Sequence, residues 1–73
     1  MSNKIENLVK MANDISNFFN AESDKALAAE GVKKHILRAW EPRMRNAIIE
    51  YSQKDGSGLN PLATEAIKLL AIG

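Results

Sequence analysis

Seventy-three residues with 45% hydrophobic content and no cysteine make one domain at most, with enough apolar side chain for a core and no disulfide or thiolate to hold it. Ten Lys and Arg against nine Asp and Glu leave a net charge of +1, which argues against an overall electrostatic drive toward nucleic acid or an anionic membrane. The polar start, Met1 to Asn7, lacks the apolar run of a signal peptide, and runs such as Leu69 to Ile72 are too short to span a bilayer, so a soluble, cytoplasmic protein is expected.

Ser2 is an N-cap candidate, and Ile5, Leu8, Val9, Ala12, Ile15 and Phe19 follow at helical spacing, predicting a first helix over 3–20. A polar link leads to Asp24, a second N-cap candidate. Leu27, Val32, Ile36, Ala39 and Trp40 then form the apolar stripe of a helix over 24–40. Gly31 lies inside it at a cost of about 1 kcal/mol relative to alanine. It either admits another helix closely or splits the segment. Pro42 disfavours α geometry for Glu41, so the second helix stops near Trp40 and a third starts at Pro42, over 42–54. Met44, Ala47, Ile48 and Tyr51 share one face of it. Lys54-Asp55-Gly56-Ser57-Gly58 reads as a flexible loop. Asn60-Pro61 reads as N-cap and N1 proline of a fourth helix over 61–71. The expected fold is all-α, a compact bundle of about four short helices in a single domain, 1–73.

The block Trp40-Glu41-Pro42-Arg43-Met44-Arg45 sets a large ring beside two fixed positive charges at a helix boundary, a combination enriched at binding hot spots. It reads as a docking corner. Two helices also carry more apolar surface than a simple bundle uses. Met11 and Phe18 extend the first helix's stripe along one flank, and Leu62, Ala63, Ala66, Ile67, Leu69 and Leu70 span a wide arc of the fourth. Ile49 points away from the third helix's core face, next to Arg45. Either the four-helix core absorbs these arcs or they form a partner surface. The candidate partner-binding residues are therefore Trp40, Arg43, Arg45, Ile49, Met11 and Phe18.

No catalytic, cofactor-binding or metal-binding residue emerges. His35 is the sole histidine and reads as a partly buried structural residue, because spacing supplies no further ligands. Ser2, Ser16, Ser23, Ser52 and Ser57 lack a nucleophile-elbow context. Gly56-Ser57-Gly58 has neither the lysine spacing nor the flanking strand of a phosphate loop. Glu22, Asp24 and Glu30 read as helix-start and surface charges. Lys33, Lys34, Arg38, Arg43 and Arg45 cluster within thirteen residues. That cluster reads as a solvated or salt-bridged helix surface, a protein-docking patch or a phosphate contact. Arg43 falls near Glu50 and pairs with it on that reading. Arg45 shares its side with Ile49 and is the better intermolecular candidate.

Met11-Ala12-Asn13 with Ile15 and Phe18-Phe19, then Trp40 to Arg45, then Gly58-Leu59-Asn60-Pro61-Leu62 together resemble the delta subunit of soluble NAD-dependent formate dehydrogenases. The resemblance runs along essentially the whole chain. Asn60 stands where aspartate is expected in many members, and both residues cap helices. The resemblance implies a non-catalytic accessory subunit that binds the alpha subunit in a hetero-oligomer and supports assembly, cofactor maturation or stability. It implies no redox centre in this chain, in keeping with the absence of a cysteine to ligate a cluster. The molybdenum or tungsten bis-pterin, the iron–sulfur clusters, the flavin and NAD are expected in partner subunits. Two alternatives stand beside it. One is a small helical nucleic-acid-binding protein using the Lys33–Arg45 cluster. The other is a homo-oligomeric helical module.

Overall fold

The structure, a computed structural model, describes residues 3–73; the N-cap candidate Ser2 lies outside the described residues. Four helices follow in order: α1 (Asn3–Phe19), α2 (Lys25–Ala39), α3 (Pro42–Lys54) and α4 (Pro61–Ile72). The fold is an all-α bundle measuring 37 × 22 × 20 Å.

The helix boundaries follow from local chemistry. Asp24 is extended and its side chain accepts from the N–H groups of Ala26 and Leu27 at 3.1 and 3.2 Å, satisfying two donors that a helix start leaves orphaned. The neighbouring Lys25 ammonium donates to the carbonyls of Asn20 and Glu22 at 2.9 and 3.0 Å. It thereby serves the C-terminal end of α1. Asn60 Oδ1 accepts from the Ala63 N–H at 2.8 Å, with Pro61 at the start of α4. At the α2–α3 corner only Trp40 and Glu41 separate the helices, and Glu41 makes no side-chain capping bond.

α4 is the hub. It packs most extensively on α2 and also contacts α1 and α3, whereas α2 and α3, though consecutive, barely touch. Its buried residues Leu62, Ala63, Ala66, Ile67 and Leu70 match the wide apolar arc seen in its sequence. That arc is consumed largely by neighbours on three sides. On α1 the buried line is Leu8, Ala12 and Ser16, spaced four apart, with Ile5, Val9, Ile15 and Phe19 packed along its edges. Ser16 is fully buried and its hydroxyl donates to the Ala12 carbonyl at 2.8 Å. A polar side chain sits dry there because its one donor is satisfied within the helix.

Gly31 does not split α2, which is continuous through it. A Cβ at that position would lie 2.7 Å from Phe19 Cε1, so the missing side chain makes room for the Phe19 ring of α1. The stripe read for α2 is corrected on two points. Leu27 is 58% exposed, and Ala39 is exposed as well, while Ala28 and Ala29 are buried in their place. The buried face is Ala28, Ala29, Val32, Ile36 and Trp40.

The loop between α3 and α4, expected to be a flexible turn, carries a set of local hydrogen bonds. Gly56 and Gly58 take positive φ, 70° and 89°, conformations that favour glycine. The N–H groups of Asp55 and Gly56 both donate to the Tyr51 carbonyl. The Tyr51 hydroxyl donates to the Ser57 carbonyl at 2.6 Å, and Asp55 Oδ1 accepts from the Ser57 hydroxyl at 2.7 Å.

Candidate functional site

The Trp40–Arg45 block folds back on itself. Trp40 is only 4% exposed and belongs to the core cluster. Of the two readings of Trp40, the α2 stripe holds and the ring presented at a docking corner is corrected: the indole continues the stripe inward, and the surface it offers goes to the fold. Arg45 is half-buried, and its Nη1 donates to the Trp40 carbonyl at 2.8 Å. Its charge therefore serves the end of α2, where a cation is favourable against the helix dipole. Ile49 does not stand clear of the core either. It is half-buried and packs against the core cluster.

Arg43 remains on the surface. The pairing with Glu50 expected for it is replaced by a Glu50–Lys54 ion pair at 3.0 Å, four residues apart. Among the described residues, none of Lys33, Lys34, Arg38, Arg43 and Arg45 forms an ion pair. Arg43 lines a groove of about 440 Å³ between the first halves of α1 and α3, whose apolar floor includes Ile5, Leu8, Met44 and Ala47.

The second pair of candidates fares differently. Phe18 is 79% exposed and Met11 39%. Phe18 stands edge-on to Phe19, ring centroids 5.3 Å apart and planes at 86°. Together with Ile15 and His35 these rings line an apolar hollow of about 320 Å³. His35, half-buried, belongs to this surface. Among the described residues no group of three or more His, Cys, Asp or Glu is placed to hold a metal ion.

Sequence reasoning missed Leu27, which lines a second hollow adjoining the same Phe19 ring, and the exposed Leu37 and Ile72. For Leu27 a signal existed. Nine residues at about 100° each place it about 180° from Ile36 around α2, opposite the buried face.

The motifs that carried the resemblance meet in space. Asn13 Nδ2 donates to the Gly58 carbonyl at 2.8 Å, and Asn13 Oδ1 accepts from the Asn60 N–H at 2.9 Å. The Met11-Ala12-Asn13 segment and the Gly58-to-Leu62 segment are thus two halves of one hydrogen-bonded junction. The Trp40-to-Arg45 segment closes a second.

These features define a class: a small all-α bundle whose polar motifs lock its own corners and whose exposed Phe18 and Leu27 line adjoining hollows on either side of Phe19. No helix among the described residues is long and apolar enough to cross a membrane. The chain belongs to the NADH-dependent formate dehydrogenase delta subunit family, FdsD, whose profile matches residues 7–67. No curated protein and no solved structure matches the chain.

Proposed function

We propose that this chain is a non-catalytic accessory subunit of a cytoplasmic, molybdenum- or tungsten-dependent, NAD-linked formate dehydrogenase. It binds the catalytic alpha subunit in a hetero-oligomer and supports that subunit's assembly, cofactor maturation or stability. The observation that carries the reading is the family match over residues 7–67. The chemistry of the chain supports it. With no cysteine and one histidine, it offers no thiolate set for an iron–sulfur cluster. The bis-pterin metal, the clusters, the flavin and the nicotinamide fall to the other subunits.

The experiment is co-expression of the tagged chain with the remaining subunits, followed by affinity capture. Retention of the alpha subunit in fixed proportion is the expected outcome. A second arm omits the chain and measures metal and pterin content of the purified alpha subunit, together with formate oxidation. Recovery of a fully loaded, fully active and equally stable enzyme, combined with no capture, would overturn the reading.

A further inference from the structure

Two hollows open side by side on the surface between α1 and α2, and the Phe19 ring is a wall of both. One, about 320 Å³, is lined by Ile15, Phe18 and His35, with Asp14 at its edge. The other, about 230 Å³, is lined by Leu27, Ala28 and Gly31, with Glu22, Glu30 and Lys34 at its mouth. Phe19 is held in place because it fills the space over Gly31. Phe18 and Leu27 flank it at 79% and 58% exposure. Few solvent-exposed side chains cost more in water than a phenylalanine and a leucine that bracket a groove.

The shape favours a helix as the occupant. Apolar residues at positions i and i+3 or i+4 of a helix lie about 5–6 Å apart at Cβ, a spacing suited to two pockets divided by one aromatic side chain. An amphipathic helix laid in an apolar groove is a recurrent recognition mode.

The charges narrow the choice further. Asp14 is already paired with Lys10 at 3.1 Å. Among the described residues Glu22, Glu30 and Lys34 have no ion-pair partner, so the mouth of the second hollow sets two carboxylates against one ammonium. That balance favours basic residues along the incoming helix and repels phosphate. It also disfavours a second copy of this chain docked face to face, since both mouths would then bring the same net negative charge to the contact.

We propose that the Phe18–Phe19–Leu27 groove receives a basic-flanked amphipathic helix of another subunit of the formate dehydrogenase. This rests on the reading of the chain as an accessory subunit.

The test uses the tagged full-length chain co-expressed with the remaining subunits. Two double variants are compared with wild type: Phe18→Asp with Leu27→Asp, and Glu22→Lys with Glu30→Lys. The first is expected to lower the captured subunits at least tenfold. The second is expected to lower them several-fold, with the deficit shrinking as salt rises. Circular dichroism of each isolated variant is expected to keep the wild-type helical signal, because none of the replaced side chains belongs to the buried core, with a small loss of melting temperature for the glutamate reversals, where Glu22 Oε2 no longer accepts from the Asp24 N–H. Undiminished capture by both variants, with capture by wild type intact, overturns the groove assignment and leaves the accessory-subunit reading standing. Capture strengthened by the glutamate reversals overturns the basic flank. A wild-type dimer in sedimentation that Phe18→Asp with Leu27→Asp dissolves assigns the groove to a second copy and overturns the proposal. Absence of capture by wild type overturns the groove assignment, and it overturns the accessory-subunit reading as well where the enzyme made without the chain is fully loaded, active and stable.

Discussion

The Asn60 N–H lies 2.9 Å from Asn13 Oδ1, 47 residues earlier in the chain. The other end of the same amide donates to the Gly58 carbonyl. One side chain of α1 therefore fixes both the last turn of the α3–α4 loop and the residue that caps α4. A backbone donor and acceptor that a loop would otherwise leave to water are both met from across the bundle.

Asn13→Ala is expected to destabilise the protein by about 1–3 kcal/mol, the net worth of two hydrogen bonds with one partner part-buried. Asn13→Asp separates the two. It keeps the acceptor for Asn60 and brings a carboxylate up to the Gly58 carbonyl, so it is expected to fall below wild type as well. Urea midpoints with an unchanged slope measure both effects. A wild-type midpoint for either variant would show that the clamp contributes nothing.

Trp40→Ala is expected to cost about 3–5 kcal/mol, the usual range for emptying a buried aromatic site. For a chain of this size that approaches its whole stability. The circular-dichroism melt is expected to lose its cooperative step at ambient temperature, with Trp40→Phe falling between. A cooperative melt for Trp40→Ala at the wild-type temperature would place the indole outside the core.

Much of this architecture is legible in the sequence, and the reasons are local. Asp24, Pro42, Asn60 and Pro61 are residues whose side chains or rings act on the adjacent backbone, so their spacing reveals the helix boundaries without knowledge of the rest. The α4 arc from Leu62 to Leu70 is legible for another reason: a helix apolar nearly all round is surrounded. What is not legible depends on partners distant in sequence. Nothing near Gly31 shows that the Phe19 ring covers it. Nothing near Arg45 shows that its guanidinium turns back to the Trp40 carbonyl rather than outward. Trp40 reads both as the end of the α2 stripe and as the ring of a docking corner, because an apolar residue at a helix end fits a core and a corner equally well, and only the path of α3 decides for the core. Phe18 reads as surplus to the α1 face, and it stands in solvent. Leu27 reads as part of the α2 stripe only while its apolar character is considered; it lies about 140° from Val32 and about 180° from Ile36 around the helix, which turns it outward.

Gly31→Ala carries a prediction whose sign is set by one distance. In an open helix the change stabilises by about 0.5–1 kcal/mol. Here the new Cβ meets Phe19 Cε1 at 2.7 Å, and ring or helix must shift. The single variant is expected to be less stable than wild type by about 1–3 kcal/mol, the range for overpacking. Adding Phe19→Ala removes the obstacle, so the two substitutions are expected to couple strongly in a double-mutant cycle. Additive thermal shifts would show that the ring gives way freely.

Arg45 joins two helix ends. It sits in the first turn of α3, where a cation is unfavourable against the dipole, and its Nη1 reaches the carbonyl at the end of α2, where a cation is favourable. The second effect is direct and part-buried, since the hydrogen bond is 2.8 Å long and charge-assisted. Arg45→Ala is therefore expected to lose about 1–3 kcal/mol, the scale of a hydrogen bond to a charged group. Arg45→Gln keeps a donor on a shorter arm and removes the charge, so it isolates the electrostatic share. If the charge dominates, the stability gap between wild type and the Arg45→Gln variant narrows as salt rises toward about 1 M, where the Debye length is about 3 Å. If the geometric donor dominates, the gap is indifferent to salt. Denaturant midpoints at two ionic strengths distinguish these. An Arg45→Ala chain as stable as wild type at both would free the side chain for contact beyond its own fold.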